Sequence, residues 1–172
     1  MSVYSPVNGF LHYVDSKDNE WHILFLYITS NSDHKVYIPM DGILFKPEIK
    51  HSISGQNPHT AEITWRIQPI DYMSPGAKLW FILQVDNPNS VKIDIPTNEV
   101  NYYGNAHLIK LGEILLGNRV VLFLPKKYYD INPNIQVFED YSVEDLETLH
   151  NRQNRDDLIA GKTVLATLRI NS

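Results

Sequence analysis

Residues 21–29 read WHILFLYIT, a run that is apolar at almost every position. A strand covered on both faces needs apolar side chains on both faces, and this run meets that requirement. A short buried helix has a similar content, so the pattern alone leaves that alternative open. We take the run as the central strand of a sheet.

Three segments further along the chain extend the sheet outward from this strand. Residues 63–68 (ITWRIQ) and 91–95 (VKIDI) alternate apolar with polar side chains, which is typical of strands with one face in water. Residues 79–85 (LWFILQV) lie between them, and the Asx and Pro residues at 86–90 favour a turn. The pattern predicts an antiparallel meander.

The C-terminal half predicts a hairpin and a last strand. Residues 117–118 (Gly-Asn) are a two-residue connection between segments 113–116 and 119–124, which indicates a β-hairpin. Residues 163–170 alternate apolar with polar side chains over most of their length, and we expect them to lock the end of the chain into a sheet.

The composition favours strands over helices. Ile, Val, Thr, Tyr, Phe and Trp supply 56 of the 172 residues, whereas Ala, the best helix former, occurs five times. One helix is credible, because Ser142 can cap it and Val143, Leu146 and Leu149 recur at helical spacing. Residues 106–116 allow a second helix as an alternative to a strand.

These elements predict a mainly β protein. A chain of 172 residues is long enough to bury about 70% of its unfolded surface, so we expect a single domain over residues 1–172. The predicted architecture is an antiparallel β-sandwich with jelly-roll or immunoglobulin-like character and one short helix before the C-terminal strand.

Charge and cysteine content exclude several function classes. The net charge of −5 removes the positive field that holds proteins on nucleic acid, and the absence of cysteine excludes a disulfide scaffold or thiolate metal site. Residues 1–8 show no cleaved export signal, so we expect a cytoplasmic protein or one exported by another route. The longest apolar run, residues 23–28, is far shorter than the ~20 residues of a membrane-spanning helix.

The negative charge is concentrated in residues 128–151, which contain no Lys or Arg. A surface of this kind suits a basic partner or a calcium ion, but the segment lacks the spacing of an EF-hand loop. Acidic residues near a helix start also serve the helix dipole and solubility, which is the preferred interpretation. The acidic residues are Asp130, Glu139, Asp140, Glu144, Asp145 and Glu147.

Aromatic side chains give the most specific candidate surface. We expect Trp65 and Trp21 in the core, whereas Trp80 shares its strand face with Lys78 and Gln84 and is expected on a polar surface. Loop tyrosines and asparagines near it are suited to ligand or partner binding, although tyrosines that cap a sandwich end would look the same. The candidates besides Trp80 are Asn101, Tyr102, Tyr103, Asn105, Tyr128 and Tyr129.

The preferred function is that of a non-catalytic interaction or assembly subunit, which contacts a protein partner or further copies of itself. The first alternative is a lectin-like carbohydrate-binding module. Its stacking platforms would be Trp80, Tyr102 and Tyr103, and its polar anchors Asn101, Asn105 and Asp86. The second is a small hydrolase or metal enzyme built on paired carboxylates or on His12 and His22. The two histidines become cross-strand neighbours if the two N-terminal strands pair, although a surface or hydrogen-bonded role is the preferred interpretation for each. The sequence contains no recognised catalytic motif and demands no metal or cofactor.

Overall fold

The computed structural model describes residues 1–28, 35–51, 61–69, 75–85, 92–93, 100–102, 104–113, 119–135, 137 and 157–169. These residues are mainly β, and their strand pairs are antiparallel, as the sequence predicts. The strands in chain order are β1 (Ser2–Tyr4), β2 (Gly9–Asp15), β3 (Trp21–Ile28), β4 (Lys35–Tyr37), β5 (Gly42–Leu44), β6 (Glu48–His51), β7 (Ala61–Gln68), β8 (Leu79–Val85), β9 (Lys92–Ile93), β10 (Val100–Tyr102), β11 (Lys110–Glu113), β12 (Arg119–Pro125), β13 (Tyr129–Ile131) and β14 (Val164–Leu168).

The largest sheet has the strand order β10-β5-β7-β8-β12-β3-β2. The short strands β5 and β6 pair with opposite ends of β7, and Pro47, which has no N–H to donate, lies between them. Strand β3 pairs along its length with β12 on one side and β2 on the other. The prediction of a strand over residues 21–29 is therefore confirmed for Trp21–Ile28 as a strand paired on both edges. It is not covered on both faces, since several of its side chains are half-buried.

Two three-stranded sheets, β1-β14-β13 and β4-β11-β9, complete the described architecture. Their apolar side chains and those of the large sheet form a common hydrophobic cluster. Trp65 and Phe81, on adjacent strands of the large sheet, stack inside it with ring centroids 5.1 Å apart. Trp65 is 1% exposed, so its predicted core position is confirmed.

The chain does not run through one sheet in sequence order. Strands β7 and β8 pair as the meander requires, but β9 pairs with β11 in another sheet. The predicted hairpin is also wrong, because both edges of β12 are occupied by β3 and β8, and β11 pairs with β4 and β9. Residues 114–118 lie outside the described residues. A two-residue turn motif such as Gly-Asn indicates a local bend in the chain, but it does not determine which strands pair on either side of it.

The predicted helices have different outcomes. The helix at 142–149 lies outside the described residues. In segment 106–116 the alternative helix is wrong, since a 3-10 turn at Ala106–Leu108 leads directly into β11. A second 3-10 turn, Pro75–Ala77, precedes β8. No helix within the described ranges combines the length and apolarity required to cross a membrane.

The C-terminal strand is locked into a sheet, as predicted. Strand β14 lies between β1 and β13, with Ala166 opposite Val3 on one side and Ile131 on the other. Leu165 and Ala166 are both fully buried although neighbouring side chains of a strand point to opposite faces. Strand β14 is therefore covered on both faces rather than on one.

Candidate functional site

The register of the central strands places aromatic side chains in a row. On one face of the large sheet, Leu79 and Phe81 enter the hydrophobic cluster; we call the opposite face the outer face. There Phe123 lies directly across from Trp80 of β8 and Ile23 of β3. Neighbouring residues across an antiparallel pair point to the same side, so the three side chains share the outer face.

Trp21 extends this row at the start of β3. Its ring contacts Trp80 edge-to-face, with centroids 6.5 Å apart and planes at 73°, and contacts Phe123 at 6.0 Å and 85°. Trp80 remains 39% exposed, which confirms its predicted surface position. Trp21 is half-buried rather than in the core. Edge-to-face contacts fix both rings without covering them.

A groove of about 590 Å³ runs beside the two tryptophans. Its walls combine aromatic rings, two prolines and long cationic side chains. The lining residues are Asn19, Glu20, Trp21, Arg66, Pro75, Gly76, Lys78, Trp80, Pro125, Lys127 and Tyr128. A smaller cleft of about 270 Å³ adjoins it and is lined by Trp21, Trp80, Ile82 and Phe123.

Backbone hydrogen bonds hold the loop that precedes β3 against the end of β12. The Asp18 carboxylate accepts the N–H groups of Glu20 at 2.7 Å and Trp21 at 3.1 Å, which sets the entry into β3. Lys126 N–H then donates to the Glu20 carbonyl at 2.9 Å. The part of the groove wall at Glu20 and Trp21 is therefore held by hydrogen bonds to the ends of β3 and β12.

Arg169 holds the turn that carries Lys127 and Tyr128. The Arg169 guanidinium donates to the Lys126 carbonyl at 2.6 Å and also to the Lys127 carbonyl. The backbone N–H of Arg169 donates to the Tyr128 carbonyl at 2.8 Å. Asp130 lies 3.6 Å from the Arg169 Nε. We assign Arg169 as a positioning residue for the groove wall.

The groove is positively charged although the chain is acidic. Of the lining residues that the structure describes, three are cations, Arg66, Lys78 and Lys127, and one is a carboxylate, Glu20. The Arg66 guanidinium lies 5.9 Å from the Trp80 ring centroid, and the Lys78 ammonium lies 4.9 Å from that of Phe45. Arg66 is also paired with the Glu48 carboxylate at 3.5 Å, whereas a cation–π contact leaves the full charge on Lys78.

His22 follows Trp21 in β3 and points to the opposite face of the strand. Partial burial and the positive charge of Lys126 lower the pKa of this imidazole below its ordinary value of 6.5, with Asp130 opposing them. Its Nδ1 lies 2.7 Å from the Ser16 hydroxyl. The lowered pKa favours the uncharged form of this imidazole.

The structure separates Trp80 from the predicted partners at 101–105. Tyr102 of β10 lies opposite Gly42 of β5. Its side chain packs on the hydrophobic cluster, on the other side of the sheet from Trp80. Asn101 and Asn105 are exposed, and Asn105 has a left-handed backbone with φ of 58°. Tyr103 and Asp86 lie outside the described residues. The structure thus does not bring this set together.

The predicted residues at 128–130 have three different environments. Tyr128 lines the groove beside Trp80. Tyr129 is fully buried, so its predicted place on a binding surface is corrected to the core. Asp130 is exposed beside Arg169. The other predicted acidic residues lie outside the described residues, namely Glu139, Asp140, Glu144, Asp145 and Glu147.

The predicted pairing of His12 with His22 is wrong. Strands β2 and β3 do pair, but a bulge between Leu11 and Tyr13 places His12 beside the middle of β3. His22 is the second residue of β3 and lies opposite Leu124 of β12. Within the described ranges, no three His, Asp or Glu side chains are grouped so that they could hold a metal ion.

Sequence reasoning missed four groove residues: Trp21, Arg66, Lys78 and Lys127. The apolar run of β3 does not alternate, so it gives no sign of which side chains face outward. Trp21 meets Trp80 only because β12 lies between β3 and β8, and that strand order is not written in any local pattern. The alternation in β8 was the available signal, and it identified Trp80 alone.

Comparison of the chain with protein-family models, with curated proteins and with solved structures finds no match.

Proposed function

We propose that the protein is a non-catalytic binding module, a β-sandwich of jelly-roll or immunoglobulin-like character that contacts a protein partner through its outer face. The observation that carries this proposal is the Trp21–Trp80 pair beside the groove. Tryptophan is enriched at protein interfaces and among the few central residues that contribute most of the binding free energy.

The position of the pair supports recognition by a preformed surface. Strands β3, β8 and β12 each pair with a neighbour on both sides, so the backbone beneath the rings is held by hydrogen bonds. A surface that is ordered before binding loses little conformational entropy when a partner arrives. The exposed part of Trp80 is apolar surface that a partner can remove from water.

The composition of the groove favours binding over acid–base catalysis. Glycoside hydrolysis, for example, requires two facing carboxyl groups. Among the described residues that line the groove, Glu20 is the single carboxylate, and the other ionisable side chains are Arg66, Lys78, Lys127 and Tyr128. This set of ionisable side chains suits binding of a charged ligand better than acid–base catalysis on it.

A carbohydrate ligand is the second candidate. The observation that favours it is the presence of Asn19 and Glu20 in the same groove as the exposed Trp80 ring. Sugar sites combine an aromatic platform with a few polar groups that fix the orientation of the hydroxyls. Tyr128 supplies a second ring on the groove wall.

A displayed library of random peptides tests the protein-binding proposal. The full chain is panned for peptides, the selected peptides are then titrated against the unaltered chain and Trp80→Ala, and a glycan panel is screened in parallel. We expect peptides whose affinity falls about 30-fold or more in Trp80→Ala, as for a tryptophan hot spot worth at least ~2 kcal/mol. Ile49→Ala is the control, because Ile49 is 53% exposed and lies outside the groove.

Two outcomes would contradict the proposal. Peptides that bind both Trp80→Ala and Ile49→Ala as well as the unaltered chain would place binding elsewhere on the surface. Glycan binding that requires Trp80, with no peptide selected, would replace the protein-binding proposal with the carbohydrate one.

A further inference from the structure

The charge of the groove opposes that of the whole chain. The chain carries a net charge of −5, yet among the described residues that line the groove three of the four with a full charge are cations. Such a local field attracts an acidic ligand to this place, while the remaining surface repels it. Charge complementarity therefore selects an anionic occupant.

Two of the cations are available to such an occupant. Arg66 already lies 3.5 Å from the Glu48 carboxylate, on the strand β6 beside it. Within the described ranges, Lys78 and Lys127 form no ion pair. Lys78 lies over the Phe45 ring, and the Lys127 ammonium lies 5.6 Å from the Tyr128 ring centroid.

The adjoining cleft selects a different chemistry. Its walls are the side chains of Trp21, Trp80, Ile82 and Phe123, three aromatic rings and one aliphatic chain. A sugar placed there would leave hydroxyl groups without hydrogen-bond partners, which costs free energy. An apolar side chain instead removes its own surface and that of the rings from water, and a volume of about 270 Å³ accommodates one such side chain.

We infer that the groove takes an acidic peptide segment of a partner protein, with one apolar side chain in the cleft and carboxylates against Lys78 and Lys127. The inference rests on the proposed function and names the class of partner for it. The peptide must meet two separate requirements. The cleft binds its apolar side chain, and Lys78 and Lys127 bind its carboxylates.

Calorimetric titration with defined peptides tests the inference on the full chain. The probe is Asp-Glu-Asp-Phe-Glu-Asp-Glu with blocked ends, compared with a version in which Ser replaces Phe and one in which Asn and Gln replace the acids. We expect the Phe-to-Ser and the neutral peptides each to bind at least ten-fold more weakly. Raising the salt concentration should weaken the acidic probe and not the neutral one.

Charge variants locate the site. We expect the double variant Lys78→Gln, Lys127→Gln to weaken the acidic probe about five-fold to twenty-fold at low salt, as for two rim ion pairs. Lys162→Gln is the matched control. Lys162 is exposed and follows the segment that pairs with Gly9, which lies opposite Ile28 at the end of β3 remote from Trp21.

The outcomes separate the inference from the proposed function. Equal affinity for the acidic and neutral peptides, with both dependent on Trp80, would overturn the acidic requirement and leave peptide binding intact. Equal loss in the double variant and in Lys162→Gln would also overturn it. Binding of an oligogalacturonate, with no peptide bound, would overturn both in favour of an acidic sugar.

Discussion

Tyr129 carries a hydroxyl group into the hydrophobic cluster, where the group has a defined partner. The side chain is fully buried, and its hydroxyl donates to the Ala77 carbonyl at 2.8 Å, with the Met40 sulfur 3.6 Å away. Burial raises the pKa of Tyr129 well above its ordinary value of 10. The single bond thus ties β13 to the turn that precedes β8.

Tyr129→Phe should lower the free energy of unfolding at pH 7 by about 1–2 kcal/mol, because the Ala77 carbonyl loses its donor. Above pH 10 the unfolded tyrosine releases its proton while the folded one keeps it, so stability falls as pH rises. Tyr129→Phe has no phenol to ionise, so its free energy of unfolding does not fall for this reason. The difference in free energy of unfolding between the unaltered chain and Tyr129→Phe should therefore shrink between pH 10 and about 11.

Urea unfolding over this pH range measures the effect. The half-buried Tyr13 provides the control Tyr13→Phe. A difference between the unaltered chain and Tyr129→Phe that stays constant up to about pH 11 would show that the burial of this hydroxyl does not govern its titration.

At the scale of elements, the pairing of β2 with β3 depends on the absence of a side chain at Gly9. A Cβ at this position would lie 1.8 Å from the Tyr27 carbonyl oxygen. Gly9 also exchanges two backbone hydrogen bonds with Leu158, at 2.8 and 3.1 Å. Three segments therefore meet at a place where only a backbone fits.

Gly9→Ala should destabilise the protein by about 3 kcal/mol or more, since the backbone of β3 must move to admit the methyl group. Gly104→Ala is the matched control: Gly104 has φ of +64° and no atom within 4 Å of an added Cβ, so only about 1 kcal/mol of conformational strain is expected. Urea unfolding measures the loss of stability in both variants. Equal losses of free energy of unfolding would show that the Tyr27 carbonyl does not crowd position 9 as closely as described.

The sequence predicted individual strands better than their neighbours. Alternation in β7 and β8 correctly assigned Trp65 to the core and Trp80 to the surface, because a period of two is a local property. From β8 to β12 the chain alternates between the large sheet and the β4-β11-β9 sheet, so adjacent strands in sequence do not pair. The groove depends on this order, which is why Trp21 was not predicted to join Trp80.

On the scale of the whole molecule, β1 covers an edge of β14. Val3, in β1, is fully buried opposite Ala166, and the Leu168 N–H donates to the Met1 carbonyl at 2.8 Å. An uncovered edge strand is a template for pairing with another chain. The segment at 1–4 therefore contributes to stability and also limits edge-to-edge association.

Deletion of residues 2–4 should raise the average mass in solution, measured by light scattering over a range of concentrations, relative to the unaltered chain. Val3→Ala keeps the backbone pairing and should cost about 2 kcal/mol of stability without raising the mass. Association of both variants to the same extent would indicate that lost core packing, and not the exposed edge of β14, is responsible.

The pairing of β1 with β14 also has a consequence for biosynthesis. Val3 leaves the ribosome about 160 residues before Ala166, its partner. At about 5–20 residues per second, this strand waits roughly 8–30 s for the segment that it must cover. During translation the apolar side chains of β1 have no native contact in that sheet, so this segment is a target for a chaperone that binds the nascent chain.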